Sequence, residues 1–278
     1  MNKTELVETI KMLKLKTNDE WILQLEERKL KELEFHNRDR DELFKKSISH
    51  DTYDKIYGNR KFYRTVELSR NYVGRWIEEN AKGKIFLDYA CGDGSYAILA
   101  AKMGAELSIG LDISDISIKN AEFSANKQGL SSKVAFVQGD AENTCLPAGC
   151  IDTIICSGML HHLDLSYAFF ELRRILKPRG KILAVEALDY NPIIKLYRMS
   201  TPNMRTDWEK AHILSSKDIK FARRFFKVQN IKHWHLFSIS GAYMPWILPQ
   251  LNFLDKILLK VPVIKQLSWM FTFELMKE

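Results

Sequence analysis

The sequence contains few cysteines, and their spacing argues against a disulfide-stabilised fold. Four of the 278 residues are cysteine: Cys91, Cys145, Cys150 and Cys156. None of them forms a CxxC pair, and Cys91 and Cys156 stand where buried strand ends are expected. A chain of this length can build its own core without such cross-links. We therefore expect a reduced, cytoplasmic protein.

An export signal and a regular membrane span are also missing. The first twenty residues, MNKTELVETIKMLKLKTNDE, are charged throughout and contain no apolar core of the kind that signal peptides require. The segment from Leu236 to Leu254 is free of charge, but Gly241, Pro245 and Pro249 interrupt it together with several polar residues. A transmembrane helix needs about twenty predominantly apolar residues, so we expect a buried lobe or an apolar substrate wall.

The composition is that of a packed globular protein with a moderate positive charge. Hydrophobic residues make up 46% and charged residues 28%, which is enough for one large α/β domain with additions or for two small domains. The net charge of +7 allows nucleic acid, an anionic membrane surface or a phosphorylated substrate as partner. An excess of this size commonly serves solubility, so specific nucleic-acid binding is not expected.

The chain changes its pattern near residue 80. Before it, Glu20 to Phe44 predicts one charged amphipathic helix, His50 to Tyr63 a less regular connection, and Thr65 to Glu79 a second helix. We interpret residues 1–80 as a helical cap or lid, and residues 81–278 as an α/β domain.

Strand and helix patterns alternate from Lys84 to Glu186. This alternation predicts a parallel sheet with helices on both faces, with Gly129 ending the second helix. A short or irregular helix is expected near Glu142. The predicted strands are Ile85–Tyr89, Leu107–Asp112, Val134–Gly139, Ile151–Cys156 and Lys181–Glu186, and the helices are Ser95–Met103, Ile116–Gln128 and Ser166–Leu176.

The alternation stops after Glu186. Two further strands are predicted at Val228–Phe237 and Trp269–Met276. The segments at about 190–220 and 238–267 then read as insertions, which could bind a substrate. The first carries arginines and aromatic residues suited to an anionic group, whereas the second is apolar.

Polar groups stand at the ends of four predicted strands. Asp88 leads into a turn that contains Gly92 and Gly94, and glycines allow a backbone to approach a ligand closely. Asp112, Asp140 and Ser157 follow the next strands. Ligands of open α/β sheets bind at the carboxyl ends of the strands, where Asp112 could accept hydrogen bonds from both ribose hydroxyls. A carboxylate at Asp88 would repel a pyrophosphate but would favour an ammonium group.

These segments resemble the motifs of class I S-adenosylmethionine-dependent methyltransferases, in particular the type 11-like members. LDYACGDG is similar to the LDxGCGxG signature, GLDIS to the acidic second motif, and GDAENTCLP to GDAExLP. IDTIICSGMLHHL and LRRILKPRGKILAVE resemble the fourth and last motifs, so that the resemblance covers about 84–186. Two positions depart from the pattern, because Ala90 and Arg179 stand where glycine is common. Alanine is tolerable at position 90 if that residue does not have positive φ.

The resemblance implies a Rossmann-like, mostly parallel sheet with an antiparallel last strand, a helical N-terminal cap and a C-terminal helical insertion. It also implies S-adenosyl-L-methionine as cofactor and S-adenosyl-L-homocysteine as product. In this family the segment before the first strand often closes over the cofactor, so that Tyr53, Tyr57, Tyr63, Arg60 or Arg64 could reach it. The implied cofactor-binding residues are Asp88, Ala90, Gly92, Gly94, Asp112, Ile113, Asp140, Ala141 and Ser157.

His161 and His162 are the candidate catalytic residues. One of them could act as general base, and structural hydrogen bonding is the alternative. A metal site is not expected, because adjacent histidines rarely point at one ion and no other Cys/His cluster is near in sequence.

The predicted function is methyl transfer to a small-molecule acceptor, with oxygen, nitrogen and sulfur left open. The acceptor could be lipophilic or carry an anionic group. Alternatives are a peripheral membrane methyltransferase of a lipid or lipid-linked acceptor, at the inner face of the membrane, and a non-catalytic cofactor-binding protein. A homodimer is compatible with the sequence. A dinucleotide dehydrogenase would explain the glycine turn and Asp112, but not Asp140 or the two histidines.

Overall fold

The computed structural model describes residues 3–278 and contains a seven-stranded sheet. The strand order is β3-β2-β1-β4-β5-β7-β6. The first five strands pair in parallel, whereas β7 is antiparallel to both β5 and β6. This is the predicted sheet: both strands expected beyond Glu186 are present, and β7, the last strand, runs antiparallel to its two neighbours. The strands are β1 (Ile85–Tyr89), β2 (Leu107–Asp112), β3 (Val134–Gln138), β4 (Ile151–Ser157), β5 (Leu176–Ala187), β6 (Lys227–Trp234) and β7 (Met270–Met276).

Thirteen α-helices are formed within residues 3–278, and the central strands of the sheet are buried between layers of them. Every residue of β1 is buried, as expected for a central strand that is covered on both faces. The helices are α1 (Lys3–Leu15), α2 (Asn18–Ile22), α3 (Glu27–Arg40), α4 (Glu42–Ser47), α5 (His50–Tyr57), α6 (Glu67–Ala81), α7 (Ser95–Lys102), α8 (Asp115–Lys127), α9 (Leu165–Ile175), α10 (Pro192–Ser200), α11 (Asp207–His212), α12 (Ser216–Ala222) and α13 (Leu248–Leu258).

The order of the strands creates a crevice at the carboxyl end of the sheet. From β1 the chain moves outward to β2 and β3, and it then returns to the other side of β1 with β4 and β5. The connections after β1 and β4 therefore lead in opposite directions. Such a reversal leaves room for a ligand between the two connections.

The single helix predicted over Glu20–Phe44 is wrong. Thr17 and Glu20 form a capping box that starts the short α2, and α3 begins only at Glu27. The Asp41 carboxylate then accepts hydrogen bonds from the N–H groups of Leu43 and Phe44 and starts α4. The pattern of charged residues continues across these boundaries, so the sequence pattern did not show where one helix ends and the next begins.

Two other local predictions are also wrong. The region from His50 to Tyr63 is helical, with α5 followed by a 3₁₀ helix at Gly58–Thr65. No helix forms near Glu142 within the described residues, because the Asp140 carboxylate accepts the Glu142 N–H in a turn. A short polar side chain that bonds its own backbone two residues ahead favours such a turn over a helix.

Both departures from the glycine pattern lie in left-handed backbone conformations. Ala90 has φ of 58° and Arg179 has φ of 61°, so the condition under which alanine would be unstrained at position 90 is not met. A Cβ atom disfavours this conformation by about 1–2 kcal/mol. The glycines common in related sequences are therefore explained by the backbone at both positions.

We expect Ala90→Gly to stabilise the protein modestly. Relief of the left-handed strain is partly offset by the greater freedom of glycine in the unfolded chain, which leaves a gain of about 0.5–1 kcal/mol. Denaturant unfolding monitored by circular dichroism measures this difference, and Arg179→Gly should change stability in the same direction. Ala100→Gly, inside α7, should instead destabilise the protein. A loss of stability in Ala90→Gly would contradict the strain argument.

Candidate functional site

A cavity of about 110 Å³ lies at the carboxyl ends of the central strands, beneath α3. Of the nine predicted cofactor-binding residues, six line it: Ala90, Asp112, Ile113, Asp140, Ala141 and Ser157. The other three, Asp88, Gly92 and Gly94, support the loop beside it and do not line its wall.

Asp112 occupies the end of β2 and is 7% exposed. Its two carboxylate oxygens accept hydrogen bonds from the N–H groups of Gly92 and Ser114, at 2.8 and 2.9 Å. Burial raises the pKa of Asp112, and the backbone N–H groups counter this effect. The Asp112 carboxylate thus holds the glycine turn against the end of β2. Asp112 also lines the cavity.

The glycine turn owes its shape to close packing. Gly94 has φ of 74°, and a Cβ atom there would lie 2.5 Å from the Phe136 ring and 2.8 Å from Ala121. Asp88 is 2% exposed, and its carboxylate accepts the N–H of Ala97 in the first turn of α7. Burial raises the pKa of Asp88 well above its ordinary value. In this arrangement Asp88 anchors α7 under the turn; its role toward an ammonium group stays a prediction.

Asp140 has a partner that the sequence did not reveal. The Lys29 ammonium lies 2.6 Å from its carboxylate, and the Arg28 guanidinium contacts both oxygens of Glu142 at 2.6 and 2.7 Å. These pairs tie α3 to the loop that follows β3. Because their side chains are largely shielded from water, the pairs hold the helix more firmly than surface ion pairs would.

Helix α3 therefore forms the cover of this cavity. Arg28, Lys29, Glu32, His36 and Arg40 all line it from one side of the helix. They recur at intervals of three and four residues, so this stripe is visible in the sequence as polar residues on one helical face. Nothing in the sequence distinguished it from an ordinary solvent-exposed face.

We expect the ion pairs of α3 to control how fast the cavity opens. In the double variant Arg28→Ala/Lys29→Ala, helix α3 should exchange its amide hydrogens faster. The variant should also release S-adenosylmethionine about tenfold faster, since the cover is no longer fastened. Hydrogen exchange and stopped-flow release measure these two changes.

Lys31→Ala is the matched control, because Lys31 is exposed and pairs only within the helix, with Glu27. Unchanged protection of residues 27–40 in the double variant would contradict a fastening role for the two pairs.

A second and larger cavity, of about 680 Å³, adjoins the first. His36, Arg40, Ser157, Gly158 and His162 line both. Apolar and aromatic side chains also form part of the wall of the second cavity, among them Tyr57, Tyr63, Val66, Met204, Trp269 and Met270. The two cavities offer neighbouring places for a cofactor and an acceptor.

His161 faces the second cavity and forms a pair with Glu186. Its Nδ1 lies 2.6 Å from one Glu186 oxygen, and the other Glu186 oxygen accepts the N–H groups of Met159 and Leu160. Burial would lower the pKa of His161, but the Glu186 carboxylate, with a smaller contribution from Glu209, raises it. His161 Nε2 lies 4.0 Å from a carboxylate oxygen of Glu209.

His162 belongs to a different group of side chains. Its Nδ1 lies 2.9 Å from the Glu32 carboxylate, and His36 Nε2 lies 3.8 Å from the same carboxylate. Burial lowers the pKa of His36 to about 3, so this imidazole is neutral at physiological pH. Glu32, His36 and His162 are ligand types that metals use, as are His161, His162 and Glu209. The sequence argument that no further histidine is near therefore does not hold for the folded chain.

The tyrosines and arginines of the cap are only partly near the cavities. Tyr57, Arg60 and Tyr63 line the second cavity, whereas Tyr53 and Arg64 do not. The Arg60 guanidinium binds the Asp39 carboxylate at 2.8 Å. Contact of any of these residues with a cofactor stays a prediction.

The comparisons with known proteins agree with this geometry. Residues 87–184 match the family described as "Methyltransferase domain". The chain is 33% identical to a ribosomal protein arginine N-methyltransferase of Schizosaccharomyces pombe over 204 residues, which are 70% of the chain and 37% of that protein. It is 32% identical to a sterol 24-C-methyltransferase of Gibberella zeae over 125 residues, 45% of the chain and 32% of that protein. The chain thus spans about a third of the length of these relatives.

A solved structure shares the fold at low sequence identity. Geranyl diphosphate C-methyltransferase from Streptomyces coelicolor, in complex with magnesium, geranyl diphosphate and S-adenosyl-L-homocysteine, superposes with a TM-score of 0.54. The match covers 75% of this chain and 80% of that one, with 14% identity. The fold is that of class I methyltransferases. The chain carries an S-adenosylmethionine-dependent methyltransferase domain of this family, as its motifs predicted.

The first cavity fits the cofactor of this family in its chemistry. Asp112 offers a carboxylate for ribose hydroxyls, while Leu111, Ile113, Met159 and Leu163 supply apolar wall for a planar base. Asp140 and Asp112 each already accept two hydrogen bonds from the protein: Asp140 from Lys29 and the Glu142 N–H, and Asp112 from two backbone N–H groups. Contact of either carboxylate, or of Ile113, with S-adenosylmethionine stays a prediction.

Proposed function

We propose that the protein transfers the methyl group of S-adenosylmethionine to a hydroxyl of a small, lipophilic acceptor bound in the second cavity. The observation that carries this proposal is the His161–Glu186 pair beside that cavity. When bound, S-adenosylmethionine supplies a methyl group already activated on a sulfonium. The protein then needs to position the acceptor, exclude water and remove the hydroxyl proton.

His161 has the arrangement of a general base. The Glu186 carboxylate holds the ring at Nδ1, which selects the tautomer with the proton on Nδ1 and leaves the Nε2 lone pair free for a substrate proton. The N–H groups of Met159 and Leu160 fix Glu186 in turn. The acceptor proton would pass to Nε2, and Glu186 would stabilise the imidazolium formed there. His162 points its Nδ1 to Glu32 and is therefore assigned a positioning role in α3 closure.

The apolar side chains in the wall of the second cavity favour a lipophilic acceptor. Met204, Trp269 and Met270 contribute apolar surface to it, and Val66 adds to the same wall. Two similar proteins are named for C-methylation of a sterol and of geranyl diphosphate, and each of these acceptors has a hydrocarbon part. Arg205, which sequence reasoning considered for an anionic group, forms an ion pair with Glu209 at 3.4 Å.

The test combines cofactor binding with turnover. Calorimetry should show binding of S-adenosylmethionine, and release of S-adenosylhomocysteine should depend on a hydroxylated isoprenoid or sterol. A panel of matched thiols and amines serves as the comparison. Binding without transfer to any compound would favour a non-catalytic cofactor-binding protein, and transfer restricted to amines or thiols would reject the hydroxyl assignment.

A further inference from the structure

Helix α10 has apolar residues on both of its sides. Ile194 is buried, and Tyr197 packs its ring against Phe62 with centroids 5.3 Å apart. On the opposite side Ile193, Leu196 and Met199 recur every three residues and are 76%, 65% and 76% exposed. A helix that needed only to pack on this protein would carry polar residues there.

The segment from Tyr243 to Leu267 exposes more apolar side chains. Trp246, Phe253 and Val263 are 72%, 62% and 77% exposed. We call these residues and the outer side of α10 the apolar surface. Its further members in this segment are Tyr243, Met244, Leu254, Ile257, Val261 and Leu267.

The two parts of the apolar surface are neighbours in the fold. The Asn191 side chain, which caps α10, donates a hydrogen bond to the Leu267 carbonyl oxygen at 2.7 Å. The Phe62 ring contacts both Tyr197 of α10 and Tyr243, at 5.3 and 5.8 Å between centroids. Apolar side chains that are exposed singly are ordinary, whereas several that are exposed on neighbouring segments indicate an interaction site.

The two segments that form the apolar surface carry mainly positive charge. Residues 190–200 contain no acidic residue, and residues 236–268 contain one, Asp255. Asp255 is fully buried, where its carboxylate accepts the N–H groups of Leu236, Phe237 and Ser238. In contrast, Lys195, Lys256 and Lys260 are exposed. Lys195 is paired with Asp189, at 2.9 Å. A partner surface is therefore expected to be apolar and anionic.

We propose that the apolar surface docks the protein on an anionic phospholipid bilayer. Within residues 3–278 no helix has the length and apolar character to cross a membrane. Side chains such as Trp246 and Phe253 would enter the boundary between head groups and acyl chains, and the lysines would contact lipid phosphates. A protein partner would more commonly meet a surface of mixed charge, with apolar residues surrounded by a polar rim.

The second cavity lies beside this surface. Trp269 and Tyr63 line the cavity, and their rings are 5.3 Å apart. Trp269 also contacts Phe62, which joins the two parts of the apolar surface. A membrane-embedded acceptor could thus enter the cavity without crossing water. This last step rests on the proposed methyl transfer, whereas bilayer docking itself does not.

Vesicle co-sedimentation tests the docking without cofactor or acceptor. The full chain should bind vesicles of phosphatidylcholine with phosphatidylglycerol, and it should bind pure phosphatidylcholine vesicles more weakly. Raised salt should reduce the difference between the two vesicles. The double variant Trp246→Ser/Phe253→Ser should lower the partition coefficient by roughly tenfold or more, because two large side chains no longer leave water.

Phe123→Ser is the matched control. Phe123 is 71% exposed on α8, which lies toward the opposite edge of the sheet, and its loss should leave partitioning unchanged. Thermal unfolding of each variant verifies that it is folded. Lys256→Glu/Lys260→Glu should weaken binding only to the anionic vesicles.

Three results would overturn the proposal. They are the absence of binding to anionic vesicles at low salt, equal binding by the Trp246→Ser/Phe253→Ser variant, and a dimer in light scattering that this variant converts to monomer without any vesicle binding. The last result would assign the surface to a second copy of the chain. Calorimetry with S-adenosylmethionine separates these outcomes from a failure of the proposed methyl transfer.

Discussion

Replacing His161 by glutamine is expected to lower turnover by about a hundredfold to ten-thousandfold, which is the range for loss of a general base. S-adenosylmethionine affinity should stay within about twofold, because His161 lines the second cavity and not the first. Initial rates of S-adenosylhomocysteine formation, measured with the active hydroxyl acceptor, give the first number, and calorimetry gives the second.

The pH dependence of turnover tests the general-base role of His161 more directly. Glu186 raises the pKa of His161, and only the neutral imidazole can accept a proton, so the rate should increase with pH until His161 is deprotonated. In Glu186→Gln the main cause of the raised pKa is gone, while the smaller contribution of Glu209 remains. The rising limb of the profile should therefore move to lower pH, while the maximal rate falls because the ring is no longer held.

His162→Gln is the matched comparison for His161→Gln. His162 bonds to Glu32 on α3, so its loss should act mainly on closure of the cover and reduce turnover by about tenfold or less. Equal rates for His161→Gln and the unaltered protein would remove the general-base role. An unchanged pH profile in Glu186→Gln would show that this carboxylate does not act through His161.

The second large effect is expected on cofactor binding when Asp112 is replaced. Asp112→Ala should weaken S-adenosylmethionine binding by roughly a hundredfold, because charge-assisted hydrogen bonds to ligand hydroxyls are lost and the Gly92 N–H loses its acceptor. Titration calorimetry measures the affinity, and thermal unfolding shows whether the glycine turn remains ordered.

Asp115→Ala provides the control for Asp112→Ala. Asp115 is three residues further on, in the first turn of α8, and its carboxylate pairs with Lys119 on the surface. Its replacement should leave affinity unchanged. If Asp112→Ala is folded and binds the cofactor as well as the unaltered protein does, Asp112 does not belong to the cofactor site.

Much of the sheet could be predicted because its signals are local. The strands β1 and β2 begin and end where the apolar runs and their terminal acids indicated, and β3 and β4 differ from prediction by one residue each. Gly129 has φ of 68° after α8, as a helix-ending glycine requires. Edge strands were less exact: β6 ends three residues before its predicted end at Phe237.

Local sequence failed where a charged side chain has a partner far along the chain. Arg28 and Lys29 belong to a helix that reads as solvent-exposed, yet they bind acids more than 100 residues away, after β3. The same holds for Glu32 and His162, which are 130 residues apart. Charge periodicity shows that a helix face is polar, but it does not show what lies opposite that face.

By itself the sequence determined the order of the strands β1 to β5, the glycine turn, and the acid at the end of β2, because residue spacing and backbone preference act over a few residues. The tertiary structure decided which helix covers the cavity, which of two adjacent histidines pairs with Glu186, and which apolar side chains stay exposed. Those outcomes depend on packing between distant segments. The same aromatic and aliphatic residues near the C-terminus could have formed a core, and only the folded chain leaves Trp246, Phe253 and Val263 facing outward.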